Sequence, residues 1–212
     1  MTRISIATLL LVLLACTARE ASAQQSGDQS GTPIFGSLRL EADLGRSIGQ
    51  NIYTRNWLPQ TVGGLTLATP FHLGELEVGL RYSRFLHDEM LNGFSDFHAV
   101  YAWLGWNLPL ELGEKTTVLT GLSLGNTYFS YDQARIYTAP GADWSYAFDR
   151  SESEISYELS LELHYGLGEG WGLFGGVAYN RTLTYHPLEL TLLRAGISRT
   201  FDSPSWLQSF LR

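Results

Sequence analysis

The sequence is poor in lysine, in cysteine and in charge. Lys115 is the only lysine among 212 residues, and charged residues make up 17% of the chain, whereas soluble domains carry about 25%. Because a water-exposed surface usually holds many lysines, this composition argues against an ordinary soluble domain. The one cysteine, Cys16, excludes a disulfide scaffold and a cysteine-based zinc site.

Basic clusters and long apolar runs are also missing. The formal net charge is −7, and an acidic chain without a basic cluster argues against nucleic-acid binding. After residue 23 no apolar run reaches the length of about 18 residues that a membrane-spanning helix needs. The classes that remain are a soluble β protein and a transmembrane β-barrel.

The first 23 residues have the composition of an export signal. Arg3 precedes an apolar run at 4–14, and Ala21-Ser22-Ala23 forms a small-x-small cleavage site. We therefore predict a cleaved signal peptide at 1–23, followed by a disordered polar lead-in at 24–33. The residues before Cys16 also resemble a lipoprotein box, so lipidation of Cys16 is the alternative.

From residue 34 onward, apolar residues recur at every second position, which is the period of a β-strand. In the segment 76–82, for example, leucine, valine, leucine and tyrosine alternate with glutamate, glycine and arginine. Eight segments of this kind predict eight strands, at 35–46, 61–71, 75–85, 96–109, 116–130, 154–166, 170–181 and 189–201. The segments that join them alternate between long and short. All long loops would therefore lie on one side of a membrane and all tight turns on the other, as in bacterial outer-membrane barrels.

The two strand faces differ in composition, and this difference favours a membrane barrel. One face holds leucine, valine, alanine and tyrosine, whereas the other mixes glycine, serine and charged residues. The second mixture suits the packed lumen of a narrow barrel better than a solvated exterior. A soluble lipocalin-like barrel with its apolar face inward and a β-sandwich are the alternatives.

Aromatic residues near both ends of the strands predict two belts at membrane interfaces. The belt near the tight turns comprises Phe71, Trp106, Tyr165, Trp171 and Phe201, and the belt near the long loops comprises Phe85, Phe97, Tyr128, Tyr157 and Tyr179.

Over residues 34–201 the chain resembles the small eight-stranded outer-membrane proteins of the OmpA/OmpX type. The last strand resembles the terminal signal that the barrel insertion machinery reads, through Leu193, Ala195, Ile197 and Phe201. The resemblance implies an all-β, eight-stranded antiparallel up-and-down transmembrane barrel in the cell outer membrane. It also implies a monomer whose partners are outer-membrane lipid, lipopolysaccharide and, during biogenesis, the insertion machinery. The lead-in and the extension at 202–212 would then be periplasmic.

Nine ionisable residues are predicted to face the lumen, namely Arg39, Glu41, Asp43, Glu77, Arg81, Glu158, Glu162, His164 and Arg194. An isolated charge in a narrow interior would carry a large desolvation cost. We therefore predict that each of the three arginines bridges to a carboxylate, with Glu41, Glu77 and Glu158 as partners. Such pairs either fill the core or, in the alternative, switch to open a narrow ion path.

The sequence indicates no catalytic, metal or cofactor site. No histidine has a serine two residues later, which would be an economical deacylase pattern, and the acidic residues fit no calcium motif. We therefore expect a structural or surface-interaction role and no enzyme activity, with a narrow gated channel and a lipid A-modifying enzyme as alternatives. The loop at 131–153 supplies aromatic and arginine candidates for partner contacts, namely Arg135, Tyr137, Trp144 and Tyr146. A loop that folds over the barrel mouth is the other interpretation.

Overall fold

The computed structural model describes residues 34–48, 57–87, 96–132, 135–138, 145–148, 151–183, 188–204 and 206. The predicted signal peptide and lead-in, and most of the predicted C-terminal extension, lie outside these residues. Among the described residues, no helix is long and apolar enough to cross a membrane.

Eight long antiparallel strands close into one barrel, as the sequence predicts. They are β1 (Ser37–Ile48), β2 (Val62–Phe71), β3 (Gly74–His87), β4 (Phe97–Gly113), β5 (Thr116–Tyr131), β6 (Ser151–Gly168), β7 (Trp171–Thr182) and β8 (Leu188–Asp202). Each strand pairs with the strands that precede and follow it in this order, and β1 pairs with β8 to close the barrel.

The connections alternate in length as predicted. Tight turns at 72–73, 114–115 and 169–170 join strands at one end of the barrel, hereafter the turn side. Longer segments join them at the other end, the loop side. There a short strand, Trp57–Pro59, pairs with the end of β3, and a hairpin of Arg135–Thr138 and Ser145–Phe148 lies between β5 and β6.

The strand register can be followed once around the barrel. Ile48 pairs with Thr191, and stepping from strand to strand leads to Thr69 on β2. Thr69 follows Ala68, which pairs with Arg39, so Thr69 lies beside Leu38. The circuit therefore returns to β1 ten residues away from Ile48, where it started. Eight strands with this offset tilt by about 41° and form a backbone cylinder of about 8 Å radius. Such a cylinder has room for side chains but not for a wide channel.

The apolar face of the strands points outward, and the mixed face points into the lumen. Large apolar side chains are widely exposed on the outside, including Leu44, Leu65, Leu80, Leu104, Leu122, Leu124, Ile155, Leu163, Leu173, Leu193 and Ile197. Charged side chains such as those of Glu41, Arg81, Glu158 and Arg194 are buried. On β4 the outward residues are apolar from Val100 to Leu110, a height of about 25 Å for tilted strands, which matches the apolar band of outer-membrane barrels.

Two members of the predicted loop-side aromatic belt point the other way. Phe85 and Phe97 are 2% exposed and pack in the lumen. Their position along the strand has the parity of inward residues such as Arg81 and Tyr101, and this parity decides where they point. Tyr128 is exposed on the outside, as are Trp106, Tyr165, Trp171 and Phe201 near the turn side.

Candidate functional site

The centre of the lumen holds a buried ion pair between β3 and β6. Arg81 donates from both terminal nitrogens to Glu158, with Nη2 2.9 Å from Oε1. The two side chains are 3% and 4% exposed. The Arg81 guanidinium also lies over the Trp103 ring, with Cζ 5.0 Å from the ring centre. Asn180 Nδ2 adds a hydrogen bond of 3.3 Å to Glu158, so the pair is held by several strands.

A second ion pair joins Arg194 on β8 to Glu162 on β6. Arg194 Nη1 lies 3.9 Å from Asp43 Oδ2, and the Asp43 side chain is fully buried. Gly176 lies between Arg194 and Glu162 in the same register row. A Cβ at Gly176 would lie 2.8 Å from Glu162 Cα and 2.9 Å from Glu162 Cγ. The absence of a side chain at this glycine therefore lets the two charged groups meet across it.

A third set of charges lies nearer the turn side, around Arg39. Arg39 donates both terminal nitrogens to the Glu75 carboxylate at 2.6 Å, and its Nε to Glu41 at 2.6 Å. His164 connects this set to the second, since its Nε2 lies 3.2 Å from Glu162 Oε2 and its Nδ1 lies 3.9 Å from Glu41 Oε1. The His164 ring stacks on Phe174 at 5.0 Å between ring centres.

All nine residues predicted for the lumen lie on inward positions, and each of the three arginines contacts a carboxylate. Of the three predicted partner carboxylates, Glu41 contacts Arg39 and Glu158 contacts Arg81, whereas Arg194 pairs with Glu162 and Glu77 pairs with none of the three arginines. Glu77 instead accepts hydrogen bonds from Trp103 Nε1 at 2.9 Å and Asn107 Nδ2 at 2.7 Å. Glu75 was missed, although it has the same strand parity as Glu77 and could have been found from the alternation.

An apolar cluster fills the loop-side end of the lumen. It consists of the buried residues Val62, Phe85, Phe97, Ala99, Phe129, Ala178, Leu188, Leu190 and Leu192, with Trp57 and Tyr131 packed against them. The rings of Phe85 and Phe97 stack at 4.4 Å between centres. We call these residues the loop-side plug. They are absent from the predicted lumen set because that prediction considered only ionisable residues.

The turn-side end of the lumen opens into a cavity of about 760 Å³. Arg39, Glu75 and His164 line it, together with turn residues such as His72 and Lys115. Beyond the ion pairs, a second cavity of about 20 Å³ lies between Arg81 and the plug, which is enough for about one water molecule. A path from the turn side therefore meets first the ion pairs and then tightly packed apolar side chains.

Outward-facing polar side chains gather at the loop-side rim of β3, β4 and β5. Tyr82 Oη hydrogen-bonds to His98 Nδ1, and His98 Nε2 lies 3.4 Å from Asp132 Oδ1. Beside them Arg84 Nη2 lies 3.8 Å from Asp96 Oδ2. We call these five residues the rim cluster.

The predicted insertion-signal residues lie on the outer face of β8. Leu193, Ile197 and Phe201 are widely exposed there, and Ala195 shares their face. Near the turn side, the Arg199 guanidinium lies over the Trp171 ring, with Cζ 4.7 Å from the ring centre. This contact keeps Arg199, the one outward arginine of β8, beside an aromatic residue.

The candidate loop contacts lie in or next to the loop-side hairpin. In it Arg135 pairs with Phe148 and Tyr137 pairs with Tyr146. The side chains of these residues, and all of Trp144, lie outside the described part of the chain. Their predicted role in partner contacts therefore stays a prediction.

Comparison with known proteins identifies the fold. The sequence matches no protein-family model and no curated protein. Among solved structures, Neisserial surface protein A is similar with a TM-score of 0.55 at 13% identity, over 78% of this chain and 99% of that one. A major outer membrane protein from Thermus thermophilus aligns with a TM-score of 0.49 at 14% identity, over 77% of this chain and 99% of that one. The similarity to Neisserial surface protein A and the closed ring of eight paired strands show that the chain has the fold of the small eight-stranded outer-membrane β-barrels.

Proposed function

We propose that this chain is an integral outer-membrane β-barrel that is exported by residues 1–23 and acts as a closed, monomeric scaffold for surface loops. The observation that carries the proposal is the inverted burial of its two strand faces. Leucines such as Leu104 and Leu124 are more than half exposed, whereas Arg81 and Glu158 are buried. In water this distribution would expose the apolar band and hide the charges, so the favourable surroundings of the outer face are acyl chains.

The filled lumen supports a scaffold rather than a channel. An ion that enters the turn-side cavity would have to break the Arg81–Glu158 pair and then displace the stacked rings of Phe85 and Phe97. Both steps are costly, because the first leaves a buried charge without its partner and the second opens a packed apolar core. In the gated-channel alternative, the ion pair and the stacked rings would have to move together.

The long loop-side connections are the proposed place of interaction with other molecules. Binding residues are commonly carried on loops that a rigid scaffold positions. In this proposal the turn side faces the periplasm, and the loop side faces outward towards lipopolysaccharide and the cell's surroundings. The four candidate residues Arg135, Tyr137, Trp144 and Tyr146 would then lie outside the cell.

Two measurements on the full chain test this proposal. The refolded protein is expected to migrate differently on a detergent gel before and after boiling, because a closed barrel resists unfolding by detergent in the cold. In planar bilayers the same protein is expected to give no discrete conductance steps. Unchanged gel mobility with solubility in plain buffer would refute the membrane barrel, and regular openings would refute the closed lumen.

A further inference from the structure

The rim cluster lies just above the apolar band on one side of the barrel. On β4, His98 comes directly before the outward apolar series that starts at Val100. Its neighbours across the sheet are Arg84 on β3 and Ser130 on β5. If the loop side faces out of the cell, as the proposed function holds, these side chains lie at the level of lipid headgroups in the outer leaflet.

The two contacts of the His98 ring indicate which of its nitrogens donates and which accepts. The Asp132 carboxylate can only accept, so the proton of a neutral His98 ring belongs on Nε2, which faces Asp132. Nδ1 then accepts, and the Tyr82 hydroxyl donates to it. The lone pairs of the Tyr82 oxygen can still accept a hydrogen bond from another donor.

The cluster leaves donor and acceptor groups side by side at the surface. The Arg84 side chain is 48% exposed, and its contact with Asp96 is long at 3.8 Å. The Asp132 side chain is 45% exposed. An incoming group would therefore find guanidinium donors and carboxylate acceptors within one small patch.

This pattern selects among the chemical groups that a headgroup layer offers. The cluster holds two carboxylates, those of Asp96 and Asp132, against the single guanidinium of Arg84, so a bare phosphate would meet more like charge than opposite charge. A hydroxyl group both donates and accepts, and therefore matches the mixed pattern. The rings of Tyr82 and His98 are joined through the Tyr82 hydroxyl, with 5.7 Å between their centres and 28° between their planes. Their neighbouring faces give an apolar surface next to the polar groups for the C–H face of a sugar ring.

We propose that the rim cluster is a binding site for the sugar headgroup of a glycolipid in the outer leaflet. The inference rests on the proposed orientation of the barrel and adds to it a location and a ligand class. Hydroxyl groups of the sugar contact Arg84 and Asp132, and the ring packs on Tyr82 and His98.

Native mass spectrometry of the refolded full-length barrel tests the site. The protein is released from detergent micelles that contain digalactosyl diacylglycerol, phosphatidylglycerol or phosphatidylethanolamine, and the bound lipid is titrated. The variants are His98→Ala and Asp132→Ala, and the matched control is Tyr165→Phe, which changes an outward tyrosine near the turn side (48% exposed). The ¹⁵N resonances of the His98 imidazole report local contact with the lipid.

We expect the glycolipid to bind more tightly than both phospholipids and to shift the His98 resonances. Each variant should weaken glycolipid binding by about twofold to tenfold, the range for one lost hydrogen bond, and the control should not. Equal retention of the three lipids, binding that His98→Ala and Asp132→Ala leave unchanged, or preference for phosphatidylglycerol would overturn the site. Because the gel-mobility test is independent, a barrel that shifts on heating but shows no glycolipid preference refutes only this inference.

Discussion

The buried pair of Arg81 and Glu158 gives the sharpest quantitative prediction. Replacing Arg81 by methionine removes the cation that contacts Glu158 through two hydrogen bonds, and leaves a carboxylate that is 4% exposed. Breaking a buried pair on one side costs about 3–5 kcal/mol, because the remaining charge stays desolvated. We therefore expect Arg81→Met to lower the free energy of unfolding by that amount, which corresponds to a factor between about 10² and about 5 × 10³ in the folding equilibrium.

The double variant separates the net contribution of the ion pair to stability from the cost of leaving one partner without the other. Replacing both partners, as Arg81→Met with Glu158→Leu, removes the charges together and fills similar volume. Such exchanges are often neutral or stabilising by about 1–4 kcal/mol. The double variant is therefore expected to recover most of the stability that either single change loses.

Urea titration of the barrel in phospholipid vesicles, followed by tryptophan fluorescence, measures all four members of this double-mutant cycle. The matched control is Glu77→Gln, since Glu77 is bound by neutral donors from Trp103 and Asn107 and its change leaves no arginine without a partner. A loss of less than about 1 kcal/mol for Arg81→Met, or single losses that simply add in the double variant, would contradict a tightly coupled buried pair.

Three further predictions follow from the faces and the packing of the barrel. Leu104→Arg places a cation in the middle of the outward apolar band and should lower the free energy of unfolding in vesicles by about 2–4 kcal/mol, whereas Leu167→Arg near the turn side should lower it by at most about 1 kcal/mol. Equal losses of stability in urea titrations would contradict the depth in the bilayer assigned to these two leucines. Gly176→Leu puts a side chain where Arg194 reaches Glu162. This overpacking should lower the free energy of unfolding by about 1–3 kcal/mol in the same assay, and unchanged stability would argue against the close approach of Arg194 and Glu162. Phe97→Ala opens the loop-side plug and should lower the free energy of unfolding by about 3–5 kcal/mol. In planar bilayers it should produce conductance openings more often than the parent chain. A variant without such openings would show that other groups close the lumen.

Strand parity made most of the architecture predictable from the sequence. A side chain in a strand points to one of two faces, so counting in steps of two separates the outward Leu76 from the inward Glu77 without any tertiary information. The same rule places Phe85 and Phe97 in the lumen. Assigning them to an interfacial belt was wrong because closeness to a strand end was given more weight than parity.

The ion-pair partners depend on register, which the alternation does not specify. Parity places Glu77 and Glu162 equally in the lumen, but only the strand offset decides which of them lies level with Arg194. Gly176 between Arg194 and Glu162 then completes the contact. The rim cluster was missed for a related reason, since Tyr82, His98 and Asp132 lie on or next to three different strands and share no sequence motif.

We infer that the apolar face of the barrel contacts acyl chains while the mixed face is sealed inside. Two tryptophans on β4 test it directly, because Trp106 points outward with 39% exposure and Trp103 points into the lumen with 6% exposure. Single-tryptophan variants that retain one or the other can be refolded into vesicles whose lipids carry bromine on their acyl chains. We predict strong quenching of Trp106 fluorescence and little quenching of Trp103; strong quenching of Trp103 with little quenching of Trp106 would contradict the account.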